Sequence, residues 1–266
     1  MNKKELARIA DILRVDSLNM TSAAESGHPS SCLSCAEIMS VLFFEEMRYD
    51  VKNPENPDND EFVLSKGHAA PILYSCLQNS GCINDDLLSL RKIDSSLEGH
   101  PMPRSMHQIK IATGSLGQGL SVGAGIALAA KLNNKKFRTF VLIGDSEMAE
   151  GSNYEAIQLA SHYGLNNLCA IIDVNKLGQR GETMLGYDVK TYQRRFESFG
   201  WNCRVVDGHD INQIIKAFSY FHDSKKPFCI VAKTIKGKGV KFIEGKQDWH
   251  GKALSGEELK KALRIF

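Results

Sequence analysis

Phe140-Val141-Leu142-Ile143-Gly144-Asp145-Ser146 is a short apolar run that stops at a glycine and an acid. Leu168 to Val174 (LCAIIDV) is a second apolar run, and it stops at Asn175, thirty residues after Asp145. Between them Gly151 to His162 reads as a helix, so the stretch forms one strand–helix–strand unit. A right-handed crossover of this kind sets Asp145 and Asn175 side by side at the carboxyl edge of a parallel sheet, where open α/β sheets bind ligands. A carboxylate and an amide oxygen are hard ligands suited to Mg²⁺, which takes the rest of its octahedron from phosphates and water. A metal–diphosphate site is the first hypothesis, although many such units end in Asp and Asn without holding a metal.

The alternation of apolar strands and helices continues outward. Helices are expected over 4–24, 33–47, 70–79, 84–91, 117–132, 152–163, 190–199, 211–221 and 256–264, and strands over 62–64, 138–143, 168–174, 202–206 and 228–233. The pattern predicts an α/β fold with a doubly wound, mostly parallel sheet and helices on both faces. No repeat or Pro/Gly linker divides residues 1–266, so one domain is expected; the polar loop Asp50 to Asp60 is no boundary.

Composition narrows the class. An apolar content of 42% with 24% charged residues is that of an ordinary globule with a sizeable core. A net charge of +2 without a long basic run argues against nucleic acid or a membrane surface as partner. No apolar run is long enough to span a bilayer, and MNKKELARIADILR lacks the core of a signal peptide. It reads as a helix with Leu6, Ile9 and Leu13 on one face. Seven scattered cysteines, an odd count, suggest reduced thiols in a cytoplasm. Cys32-Leu33-Ser34-Cys35 spells C-x-x-C, but without a second pair these residues read as small buried groups at a helix start.

Glycine-rich Thr113 to Gly119 (TGSLGQG) opens a helix, an arrangement that lets backbone approach a ligand and favours negative charge. Together with it, the GDS…N pair is similar to the GDG…N signature of thiamine-diphosphate enzymes. Further segments resemble transketolases in chain order: Ser26-Gly27-His28-Pro29, FVLSKGH ending at His68, Glu98-Gly99-His100-Pro101, TGSLGQG, and Asp248-Trp249-His250-Gly251-Lys252. The resemblance covers nearly the whole chain and corresponds to the diphosphate-binding module alone. No segment resembles the pyrimidine-binding or C-terminal module.

The resemblance implies thiamine diphosphate and Mg²⁺ (Ca²⁺ or Mn²⁺ as substitutes) as cofactors. It assigns the metal to Asp145, Asn175 and the backbone carbonyl of Leu177. It places Ser31, His68, Gly114, Ser115, Leu116, Gly144, Ser146, Glu155, Lys236 and His250 beside the cofactor. His28, His100 and His250 would face the sugar and move protons, as imidazole with a near-neutral pKa can. Glu150 and Glu155 would lie at a subunit interface near the glutamate that activates the cofactor; read without the resemblance, they are solvated helix-face acids. Lys66, Lys236 and Lys252 would offset phosphate charge. Ser146 departs from the pattern, standing where glycine is usual, and would be strained if the turn demanded a positive φ.

The resemblance also implies the diphosphate-binding, N-terminal subunit of a split transketolase. It would self-associate, pair with a separate C-terminal subunit that supplies the activating glutamate, and act on sugar phosphates. Other readings stay open: a related thiamine-diphosphate enzyme such as a deoxyxylulose-phosphate synthase or 2-oxoacid dehydrogenase subunit, an enzyme for a modified sugar, or a non-catalytic cofactor-binding paralogue.

Overall fold

The computed structural model describes residues 1–266. Five strands, β1 (Glu61–Leu64), β2 (Thr139–Gly144), β3 (Leu168–Val174), β4 (Asn202–Asp207) and β5 (Phe228–Lys233), form one sheet in the order β1-β2-β3-β5-β4. Every pairing is parallel. The helices are α1 (Lys3–Ala23), α2 (Pro29–Ser34), α3 (Ala36–Val41), α4 (Ala70–Asn79), α5 (Gly119–Leu132), α6 (Gly151–His162), α7 (Val189–Ser198), α8 (Ile211–His222) and α9 (Gly256–Leu263).

Period-two alternation in β2 sorts the two faces of the sheet. Phe140 and Leu142 join the apolar cluster that also holds residues of α1, α3, α4 and α8. Val141 and Ile143 join the other cluster, with residues of α5, α6 and α7. Reversal of strand order between β4 and β5 sends α8 to the face opposite α6, as right-handed crossovers require. Burial on both faces explains why the inner strands β2, β3 and β5 read as largely apolar runs, whereas the edge strand β4, NCRVVD, is half exposed. No helix is long and apolar enough to cross a membrane.

Three expected helices differ. The segment 33–47 is α2 and α3, separated at Cys35 (φ −107°, ψ 15°), followed by a wide π-type turn over Leu42–Glu46. Only a single 3₁₀ turn, Leu87–Ser89, forms within 84–91. Asp86 caps that turn, and Arg91 (φ 63°) and Asp94 (φ 67°) adopt left-handed conformations that no helix continues. The helix expected from 117 starts at Gly119, because Gly117 has φ 87°. Cys32 and Cys35 are free and fully buried, as expected of packing residues.

Close packing of α5 on the sheet depends on Gly123, where a Cβ would stand 2.3 Å from Val141 Cγ2. Helix propensity alone favours alanine there by about 1 kcal/mol. Overpacking costs about 1–3 kcal/mol, so the clash wins and Gly123→Ala is expected to be net destabilising. Urea unfolding of the variant checks this through a lowered midpoint.

Candidate active-site cleft

The carboxyl ends of β1, β2 and β3 open into a cleft of about 230 Å³. Register pairs Gly144 with Asp173, so the residues that follow, Asp145 and Asn175, emerge together as the strand–helix–strand reading requires. His28, Ser31, His68, His100, Gly114, Leu116, Gly144, Asp145, Ser146, Asn175, Leu177, Lys236 and His250 all line this cleft. Ser115 does not; it is exposed, with its Oγ accepting from Gln118 Nε2 at 3.3 Å. Glu150 and Glu155 are also outside, exposed at and near the start of α6. Gly117 shows how near that helix start comes: a Cβ there would stand 2.5 Å from Glu150 Cβ. A more apolar cavity of about 330 Å³ lies beyond the 101–113 loop, walled by Phe43, Phe62, Leu73 and Leu77, and shares none of the expected site residues.

Asp145 is buried and accepts two backbone bonds, from Ser146 N–H at 2.8 Å and Lys176 N–H at 2.6 Å. Burial, reinforced by the nearby Asp173 carboxylate, pushes its pKa up to about 6. Asn175 donates its amide to Asp173 Oδ2 at 3.2 Å, while its Oδ1 accepts from Leu177 N–H at 3.2 Å. The Leu177 carbonyl accepts from Lys236 Nζ at 2.8 Å, and the same nitrogen lies 2.8 Å from His250 Nδ1. Burial, aided by Lys66, lowers Lys236 to about 8.

Ser146 is not among the residues with positive φ and opens a 3₁₀ turn at 146–149. The strain that serine risked there is absent. Its backbone N–H is spent on Asp145, and its hydroxyl borders Gly178.

Beneath the metal-type residues lies a network that sequence reasoning missed. Asp173 lies one residue before the end of β3, within an otherwise apolar run, and is fully buried and ion-paired with Lys66. Ser34 Oγ (2.6 Å) and Thr234 Oγ1 also donate to it. Burial works against ionisation, but Lys66 prevails and holds the carboxyl below its usual range. Lys66 is therefore committed inward, with a further bond to the Ser31 carbonyl at 2.9 Å, rather than free to meet a phosphate. Lys252 stacks over Trp249 at 4.3 Å. A charged residue inside a strand-forming run was the available signal for Asp173, since a buried acid needs partners. Gln179 also lines the cleft and was not anticipated.

Three histidines face one another, with ring centroids 5.1 Å apart for His28–His68, 5.0 Å for His28–His250 and 5.7 Å for His68–His250. Burial, followed by His100, lowers His28 to about 4. Burial and then Lys236 lower His250 to about 4. His68 is lowered well below its ordinary value by burial and Lys66, and His100 is lowered by burial and Arg91. All four are neutral near pH 7. A histidine with a depressed native pKa binds fewer protons folded than unfolded, so stability falls as pH drops from 6.5 towards 4. Discounted for partial exposure, His28 and His250 together are worth roughly 2–3 kcal/mol across that window. Urea midpoints are expected to fall between about pH 7 and about pH 4.5, with a shallower slope in His28→Gln/His250→Gln.

The residues present fit a metal-bound diphosphate. Asp145, Asn175 and the Leu177 carbonyl offer only hard oxygens, and no cluster of three His, Cys, Asp or Glu residues competes as a metal site. His28 Nδ1 is buried without a partner, a polar atom that a ligand in the cleft would satisfy. At Gly144 a Cβ would meet nothing closer than Lys66 Cβ at 3.8 Å. The protein's own packing does not require glycine there, whereas close approach of a ligand to the backbone would.

The family model described as "Transketolase, thiamine diphosphate binding domain" matches residues 5–266. The chain belongs to the transketolase family. It is 50% identical over 264 residues to transketolase-like protein 2 of Bos taurus, covering 98% of this chain and 42% of that one. It is 49% identical to Homo sapiens transketolase over 247 residues, covering 92% and 39%. Transketolase of Campylobacter jejuni superposes with a TM-score of 0.94 at 36% identity, covering 99% of this chain and 43% of that one. A Pichia stipitis transketolase structure described as a complex with sedoheptulose 7-phosphate superposes at 0.90 with 32% identity, covering 97% and 40%. This transketolase-family chain thus spans about two-fifths of the length of its relatives.

Proposed function

We propose that this chain is the diphosphate-holding subunit of a Mg²⁺- and thiamine-diphosphate-dependent transketolase, completed by a second chain that carries the pyrimidine-binding module. The carrying observation is that Asp145, Asn175 and Leu177 line one cleft together with His28, His68, His100 and His250. Thiamine diphosphate held in this cleft would supply a nucleophilic thiazolium carbon and an electron sink for carbon–carbon cleavage. Asp145, Asn175 and Leu177 hold the cation, for which Ca²⁺ or Mn²⁺ can substitute, and Lys236 balances phosphate charge beside it. His28, His100 and His250 offer ring nitrogens to sugar hydroxyls, His28 and His250 through Nε2, since His28 Nδ1 is buried and His250 Nδ1 already meets Lys236 Nζ. Anionic charge entering the cleft raises their pKa values, which brings them nearer the range useful for proton transfer.

Sugar phosphates are the proposed substrates, consistent with the Pichia stipitis relative described with sedoheptulose 7-phosphate. Glu150 and Glu155 are assigned to the interface at which the partner's activating glutamate arrives; their exposure suits it. Exposed Leu159 and Tyr163 on and beside α6 support self-association of a cytoplasmic assembly. Ser146 departs from the family pattern but is unstrained, so it gives no reason to prefer a non-catalytic paralogue. Ketol transfer from xylulose 5-phosphate to ribose 5-phosphate tests the reading, run with Mg²⁺ and cofactor on this chain alone and with the completing chain. Activity only in the mixture supports it. Sustained activity of this chain alone, or silence of the mixture, rejects it.

A further inference from the structure

We propose that Glu147 is a positioning residue that fixes the spacing of three cofactor-contacting segments, an inference that rests on the cofactor reading above. Glu147 is 1% exposed and lies in the cleft wall. Its Oε1 accepts from Gly117 N–H at 2.8 Å and from the Ser65 hydroxyl. Its Oε2 accepts from Gly144 N–H at 3.1 Å. These donors belong to SKGH, TGSLGQG and GDS, segments far apart in sequence that share this one carboxylate. One side chain therefore joins the histidine-bearing loop, the glycine loop and the turn that carries Asp145.

The choice of residue follows from donor counting. Three neutral donors face two oxygens, and only a carboxylate accepts at both ends. Glutamine would turn its NH₂ group against the backbone N–H of either Gly117 or Gly144. Charge without a cationic hydrogen-bond partner is costly to bury, so hydrogen bonds to the ionised form have to carry it. Ser65 is itself wedged in place: a Cβ on Gly119 would stand 2.3 Å from its Oγ. The start of α5 is thus pinned through Ser65 to the same carboxylate.

Supporting residues that orient ligands typically change affinity by about 10–100-fold when replaced. Glu147→Gln is expected to weaken binding of thiamine diphosphate with Mg²⁺ by about that factor, read by isothermal titration. Ser65→Ala should weaken it by roughly 3–10-fold, and the double variant should be no weaker than Glu147→Gln alone, because both act through one contact. In the mixture with the completing chain, the apparent cofactor constant should rise while turnover at saturating cofactor changes by less than about threefold. Urea unfolding without cofactor separates the readings: a merely structural role lowers the midpoint but leaves the affinity of the folded variant intact, which overturns the proposal. Should Glu147→Gln not fold, wild-type affinity in Ser65→Ala overturns it. Absence of binding by the wild-type chain overturns the cofactor reading itself and the proposal with it. Wild-type binding matched by an equally tight Glu147→Gln overturns the proposal alone.

Discussion

Asp145→Ala is expected to weaken metal-dependent cofactor binding by at least about 30-fold while leaving the fold intact. Asp145 supplies the only carboxylate of the proposed metal site, and truncating one partner of a buried, hydrogen-bonded charge pair costs about 2–5 kcal/mol. That corresponds to roughly a 30- to 5,000-fold loss of affinity. Stability is expected to move little, and for Asp145→Asn it should hold or rise. The native carboxylate is buried and faces Asp173, and both influences disfavour its charge, as its pKa of about 6 records. Removing that charge relieves repulsion, at the expense of weaker acceptors for Ser146 and Lys176 N–H. Function and stability oppose each other at this residue, as is common where a site is built for a ligand. Titration calorimetry of Asp145→Ala and thermal unfolding of cofactor-free Asp145→Asn check the two halves. A large drop in the unfolding temperature of Asp145→Asn would contradict this account.

Lys66→Met is expected to destabilise the chain by about 3–5 kcal/mol, because it strands Asp173 as an unpaired buried charge. Lys66 and Asp173 are 1% and 0% exposed, so solvent offers little relief. The pair does not by itself imply a net gain in stability, since desolvation offsets much of the attraction. Its value lies in orientation: Asp173 Oδ2 also receives the Asn175 amide, which turns that side chain to its position beside Leu177. Asp173→Asn added to Lys66→Met should restore much of the lost stability but not cofactor affinity, because the orienting acceptor is still altered. Chemical denaturation and calorimetry on the single and double variants measure the split.

The strand–helix–strand unit was legible because both its strands are predominantly apolar runs that stop at Gly144-Asp145 and at Asn175. The same chemistry hid Asp173, which sits inside such a run and whose partner Lys66 lies over a hundred residues earlier. Only folding brings them together. Glu147 was equally hidden: two residues from Asp145, it resembles any acid in a turn until Ser65, Gly117 and Gly144 are seen to donate to it. Local backbone geometry decided other points. Arg91 and Asp94 end a segment whose side-chain spacing suits a helix, and Cys35 breaks another. Nothing in the letters states that Ser146 has a negative φ, yet that angle removes the objection to it. The four histidines that the resemblance singles out line one cleft, whereas Ser115, Glu150 and Glu155 lie exposed outside it.

The most direct test of the central claim is phosphorus-detected electron–nuclear double resonance on Mn²⁺ substituted for Mg²⁺. The wild-type chain with thiamine diphosphate is expected to hold Mn²⁺ in a site showing strong ³¹P coupling, lost in Asp145→Ala. Manganese that stays free, or that binds without phosphorus coupling or with coupling unaffected by Asp145→Ala, would contradict the assignment of this cleft to a metal-bound diphosphate.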